Sequence, residues 1–120
     1  MTKKTFDVYW LPNCSTCKKA VAFLEEKGAE VRSFRDLKAD PLSRSEVENL
    51  VSTIGGADAL FSKRAVKYRT MRLSERTLSD TDMIKLMAGE YTFVKRPVLV
   101  SGKRAIAGFS VKRYEAFLDE

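Results

Sequence analysis

The chain has 120 residues, which at about 150 residues per domain argues for a single domain. It is 44% hydrophobic and 32% charged, values of a folded globular protein rather than a disordered one. It contains no histidine, which excludes a Ser-His-Asp triad, a Cys-His dyad and any zinc or haem centre that needs imidazole. Two cysteines alone, Cys14 and Cys17, do not complete a tetrahedral zinc site, so we expect no resident metal.

A chain of this length can bury roughly two thirds of its unfolded surface and needs no disulfide staple. The opening Met1–Asp7 lacks the apolar core of a signal peptide, and Pro12 interrupts the apolar run after it. Apolar runs such as Val8–Leu11 and Pro97–Val100 are far short of the ~20 residues that cross a bilayer. We therefore expect a cytoplasmic protein with no membrane contact. In a reducing compartment a close cysteine pair points to redox or metal chemistry more than to a structural staple. The net charge is +6, and its cations are dispersed, without a block of five. That reads as solvated surface, with an acidic partner or anionic substrate as the alternative. Neither a zinc-finger pattern nor an aromatic ribonucleoprotein motif is present, so no direct nucleic-acid contact is expected.

In chain order, Thr5–Leu11 is β-branched and aromatic and reads as a strand, broken by Pro12-Asn13. Cys14–Gly28 reads as a helix, with Cys17, Ala20, Val21 and Leu24 on one apolar stripe and Gly28 as its stop. Ala29–Arg35 reads as a second strand. Asp40-Pro41 opens a helix, with Ser43 or Ser45 as cap, Val47, Leu50, Val51 and Ile54 as its apolar face, and Gly55-Gly56 as its end. Ala57–Ser62 reads as a further short helical piece, and Lys63–Leu78 is basic and weakly patterned. Ser79 caps a helix to Gly89, with Asp80 and Asp82 in its first turn and Met83, Ile84, Leu86 and Met87 on its buried side.

Val98–Val100 then reads as an apolar strand, Ser101–Lys103 as a tight turn and Arg104–Gly108 as the hairpin partner. Ser110 caps a last helix with Val111, Tyr114, Phe117 and Leu118 facing inward, and Tyr9, Trp10, Phe23 and Phe117 read as core. A crossover helix makes the first two strands parallel; the tight turn makes the last two antiparallel. The expected fold class is α/β: a mixed four-stranded sheet with flanking helices and an inserted helical segment at about 40–92, all within one domain and one monomer.

The most informative spacing is Cys14-Ser15-Thr16-Cys17, at a strand-to-helix junction. Cys14 falls at the helix start, where unpaired backbone N–H groups and the helix dipole favour a thiolate. Lys18 and Lys19 add positive potential. A thiol at the usual pKa near 8.5 is only about 3% ionised at neutral pH, whereas this setting can lower it to about 3.5–7.5. No general base is then needed. Cys17, nearly one turn on and facing the apolar stripe, can reach back. Cys14 is thus the candidate nucleophile and Cys17 the resolving thiol.

Tyr9–Ala20, Phe23–Glu26, Lys67-Tyr68-Arg69, Lys95–Val100 and Gly108-Phe109 together resemble the glutaredoxin-dependent arsenate reductases (ArsC) and the related Spx-type regulators, over nearly the whole chain. The resemblance implies a thioredoxin-like fold carrying a helical insertion, with Pro97 cis and facing the cysteine loop. It implies Cys14 as nucleophile and an arginine before the proline, here Arg96, holding anionic charge. Of two further family arginines, one falls on Ser62, with Arg64 two positions along, and the other on or near Ala107, with Arg104 close by. A tetrahedral oxyanion wants several charge-assisted donors, each worth roughly 1.5–3 kcal/mol, so its binding here depends on Arg96, Arg64, Arg104 and Lys18.

Two functions are implied by the resemblance. In one, Cys14 and Cys17 reduce a small oxidised substrate, with no bound cofactor and with glutathione, glutaredoxin or thioredoxin as electron donor. In the other, the dithiol is an Spx-like switch that sets binding to the RNA polymerase alpha subunit; Arg64 and Gly56 match that branch.

Overall fold

The computed structural model describes residues 4–119, so the first three residues of the N-terminal reading lie outside the described residues. The chain divides into two compact units. One holds the residues up to Leu37 and from Arg96 onward, the other Lys38–Lys95, which contains the stretch read as a helical insertion.

The first unit is built on β1 (Thr5–Trp10), α1 (Ser15–Glu26), β2 (Glu30–Asp36), β3 (Val98–Ser101), β4 (Arg104–Ala107) and α5 (Val111–Asp119). Its sheet has the order β2-β1-β3-β4. β1 and β2 run parallel, while β1–β3 and β3–β4 are antiparallel, as the connections require. The register sets Tyr9 opposite Val98 and Val98 opposite Ala107. The C-terminal ends of β1 and β4 and the start of β3 therefore share one end of the sheet. The Arg96–Pro97 bond there is cis, as the resemblance implies.

One face of the sheet offers Phe6, Val8, Leu99 and Ile106 to Ala20, Val21 and Leu24 of α1 and to Tyr114 and Phe117 of α5. Period-two alternation in the strands and a 3–4 spacing in the helices bring these residues together. α1 stops at Lys27, and Gly28 turns the chain toward β2 with φ +80°, a left-handed conformation that suits glycine.

The second unit holds α2 (Arg44–Ile54), α3 (Val66–Thr70), a 3-10 turn at Leu73–Glu75, α4 (Asp80–Gly89) and a second 3-10 turn at Tyr91–Phe93. Ser43 caps α2 and Ser79 caps α4, each in a reciprocal capping box with Glu46 or Asp82. Phe61 and Phe93 stack with ring centres 5.4 Å apart, and Leu60, Leu73 and Val47 are fully buried.

Several expectations are corrected. Ala57–Ser62 is not a helix: the Ala57 carbonyl accepts from the N–H groups of Leu60 and Phe61 in a single turn. Phe61 then pairs with Val94 in an isolated antiparallel bridge, which draws the backbone out straight. The basic stretch Lys63–Leu78 does hold regular structure, α3 and the first 3-10 turn. Val111 is 48% exposed: it opens α5 nearly in line with the half-buried Leu118, at the rim of the face that Tyr114 and Phe117 bury. Tyr9, Trp10 and Phe23 are only half-buried, and Trp10 packs on the exposed ring of Phe34 across the edge of the sheet. No helix among the described residues is long and apolar enough to cross a membrane.

Candidate active site

β1 ends at Trp10, and Leu11-Pro12-Asn13 turns the chain so that the Cys14 N–H donates to the Leu11 carbonyl at 3.1 Å. Cys14 is then the N-cap of α1, with extended φ/ψ of −85° and 119°. Caps are normally oxygen-bearing side chains that accept from the second or third helical N–H. Here the cap acceptor is sulfur: Cys14 Sγ accepts from the Cys17 N–H at 3.4 Å. Both cysteines are free thiols, Cys14 half-buried and Cys17 fully buried on the apolar stripe of α1.

The two thiols are driven in opposite directions. For Cys14, partial burial opposes ionisation. It is outweighed by hydrogen bonds from the Cys17 side chain and the backbone N–H groups of Cys17 and Thr16, and by the charge of Arg96, so its acidity rises above the ordinary thiol's. Burial, followed by the bond to Cys14, pushes Cys17 up to about 12. A hydrogen bond with the Leu11 backbone and the Arg96 charge offset that only in part. One thiolate at this helix start thus suppresses a second.

Arg96 precedes the cis bond to Pro97, and its positive charge acts on both thiols. Pro97 is buried, and its carbonyl accepts from the Gly108 N–H at 2.9 Å. One step along the register from Val98 sets Pro97 level with the end of β1, just before the cysteine loop. Cys14, Cys17, Arg96 and Pro97 are therefore gathered at one end of the sheet.

The other expected residues fare differently. Lys18 is exposed on the first turn of α1, with its backbone N–H bonded to the Cys14 carbonyl at 3.1 Å. Arg104 is not brought to the cysteine loop. It pairs with Ser101, three residues before Ala107 and so about 10 Å from the cysteine end of β4. There its guanidinium donates to the Phe117 carbonyl at 2.5 Å and lies 4.1 Å from the Phe117 ring centre. Arg64 belongs to the second unit, where it is exposed and its N–H donates to Ser62 Oγ at 3.3 Å.

Sequence reasoning missed Arg113 and the polar end of Tyr114. Arg113 Nη2 donates to the Ala107 carbonyl at 3.1 Å, and Tyr114 Oη to the Gly108 carbonyl at 2.6 Å. Both close over the cysteine end of β4. Burial holds the Tyr114 phenol above its usual value, with the Cys17 charge second. The signal was distance along the chain: α5 begins so soon after β4 that side chains of its first turn reach back to the strand end.

Known proteins resemble this chain in sequence and in fold. The ArsC family model matches residues 9–117. The uncharacterized protein YusI of Bacillus subtilis is 31% identical over 110 residues, covering 89% of this chain and 92% of YusI. The global transcriptional regulator Spx of Streptococcus pyogenes serotype M1 is 30% identical over 108 residues, covering 89% of this chain and 80% of Spx. The crystal structure of an ArsC family related protein from Bacteroides fragilis superimposes with a TM-score of 0.83 at 26% identity, covering 96% of this chain and 98% of that one. With a thiol-capped helix start on a thioredoxin-like sheet and a family match across nearly its whole length, the chain belongs to the ArsC family.

Proposed function

We propose that the chain is a thiol–disulfide oxidoreductase in which Cys14 attacks and Cys17 resolves. The observation that carries this reading is the cap itself, a half-buried sulfur accepting the Cys17 N–H beside the Arg96 charge. The Cys14 thiolate attacks one sulfur of an oxidised disulfide substrate, forming a mixed disulfide and expelling the other half as thiolate. Cys17 then attacks Cys14 Sγ, its proton passing to the sulfur of the half still bound. The remaining half leaves as thiol, and a Cys14–Cys17 disulfide stays behind. Two electrons have passed to substrate, and glutathione, glutaredoxin or thioredoxin returns them. Arg96 stabilises the thiolate before attack and each departing anion near Cys14.

The high pKa of Cys17 fits the order of events. While Cys14 is a thiolate, its charge and its hydrogen bond keep Cys17 protonated. Once Cys14 is in a mixed disulfide, that charge is gone and Cys17 ionises more easily, so resolution comes after attack. The test is NADPH-coupled turnover of mixed disulfides and of arsenate. Cys14→Ser is expected to abolish turnover, and Cys17→Ser to trap the mixed disulfide, visible as added mass. Turnover unchanged in Cys14→Ser overturns the reading.

A second reading is favoured by one observation, the 30% identity to a global transcriptional regulator. In it the same dithiol is a switch that sets binding to RNA polymerase through its alpha subunit. Retention of RNA polymerase by one redox form only, with no turnover, selects the switch.

A further inference from the structure

Between Lys63 and Arg76 the second unit concentrates positive charge: Lys63, Arg64, Lys67, Arg69, Arg72 and Arg76 stand against one carboxylate, Glu75. The same stretch exposes two large apolar side chains, Val66 at 63% and Met71 at 48%. A groove of 420 Å³ opens beside Met71, toward Arg76–Leu78 and α4. Its volume is that of a ligand-sized site, about 300–1,000 Å³. Met71, Leu78, Leu86 and Phe93 give it an apolar lining, and Lys67, Arg76 and Lys85 contribute cations.

The two carboxylates in its wall are engaged within the fold. Asp82 accepts from the Ser79 N–H at 3.0 Å as part of the α4 capping box. Glu90 holds Lys67 Nζ at 2.7 Å and accepts from the Thr92 hydroxyl at 2.8 Å. Arg76 and Lys85 both act on Asp82 from a distance, without a hydrogen bond to it among its principal contacts. With Lys67 paired to Glu90, Arg76 and Lys85 stand against the single remaining charge of Asp82, so an incoming carboxylate meets a net positive wall. The lining matters as much as the charge. Phe93 is buried, so the groove offers no exposed ring face on which a nucleobase could stack. It offers a flexible thioether and aliphatic side chains, a surface that repacks around inserted apolar groups.

We propose that this groove docks an acidic amphipathic polypeptide segment, its apolar side chains entering over Met71 and Leu86 and its carboxylates meeting Arg76, Lys85 and the basic flank of α3. The proposal rests on the second unit alone and is independent of the thiol chemistry.

The experiment titrates the full chain with a fluorescein-labelled peptide that carries leucine and phenylalanine on one helical face and glutamate and aspartate on the other. The same peptide with every acid replaced by lysine, a short single-stranded DNA and phosphatidylglycerol vesicles serve as comparisons. Anisotropy gives affinity and backbone amide shifts give the location. Saturable binding of the acidic peptide is expected, with shifts gathered on α3, Arg76–Leu78, α4 and Tyr91–Phe93. Arg76→Glu with Lys85→Glu is expected to weaken it at least about tenfold, and Met71→Gln severalfold at unchanged charge. The pair Lys103→Glu with Lys112→Glu, an equal change of net charge in the first unit, should leave it within about twofold. Amide dispersion confirms that each variant is folded. The proposal is overturned by absence of saturable binding, by equal loss in the two charge-reversed pairs, or by indifference to Met71→Gln. Tighter binding of DNA or vesicles through the same residues overturns it as well.

Discussion

Cys14 and Cys17 have the same chemistry and opposite acidities because only one of them accepts hydrogen bonds from the start of a helix while the other lies beneath it. The Cys14 thiol is expected to titrate below the ordinary value near 8.5, measured by thiolate absorbance in Cys17→Ser and in the wild type. Arg96→Gln is expected to raise it, and Arg96→Lys to restore most of the shift, since the charge and not the fork geometry is what both sulfurs feel. An unchanged Cys14 titration in Arg96→Gln would remove Arg96 from the site. The same shifts govern stability. Cys17 stays protonated in the fold where the unfolded chain would ionise it. Its contribution is therefore fully present below the unfolded thiol's pKa of about 8.5 and is lost as pH climbs toward about 12. Cys14 runs the other way: its contribution is present above the unfolded pKa and fades as pH falls through its lowered folded value. Urea midpoints are thus expected to fall with pH in the alkaline range, and Cys17→Ala to flatten that fall. A wild-type curve as flat as the variant's would show that Cys17 ionises freely in the fold.

The elements that start and stop cleanly do so through backbone chemistry written in single residues. Ser79→Ala and Ser43→Ala are each expected to cost about 1 kcal/mol by urea unfolding, because each loses one half of a capping box. Ser45→Ala should be close to neutral, since among the described residues Ser45 Oγ meets only Ser43 Oγ, at 3.4 Å. Gly28→Ala should cost about 1–2 kcal/mol from its left-handed backbone alone, with no atom within 4 Å of the added methyl. These devices are local and were legible in the sequence: Ser79, Gly28, the Ser101–Lys103 turn and the strand-to-helix step at Cys14 all fall where the residues put them. The choice between Ser43 and Ser45 was not legible, because it depends on which hydroxyl finds Glu46. Ala57–Ser62 misled for a related reason. Its helix-forming residues are overruled by Phe61, which is drawn into a bridge with Val94 more than thirty positions away. Arg104 is close to Ala107 in sequence, yet a strand carries successive residues steadily away from the site. Arg113, farther along the chain, comes back because a helix begins right after the strand.

At the scale of the molecule, each compact unit has an apolar core of its own. In the first, Leu24 lies among Phe6, Val8, Tyr114 and Phe117; in the second, Phe93 stacks on Phe61. Separate cores allow separate openings, with free energies below that of global unfolding. Truncation of a buried aromatic costs about 3–5 kcal/mol and of a buried leucine about 2–5 kcal/mol, enough to bring one opening within reach of the exchange experiment. Phe93→Ala is therefore expected to speed native-state hydrogen exchange of amides within Lys38–Lys95, leaving β1, β3 and α1 protected. Leu24→Ala is expected to do the reverse. The Cys14 titration supplies an independent readout, since it depends on α1 and Arg96: it should survive Phe93→Ala and be disturbed by Leu24→Ala. If both variants accelerate every amide equally, the chain opens as one cooperative block. The compactness of the two units would then describe their packing and not their stability.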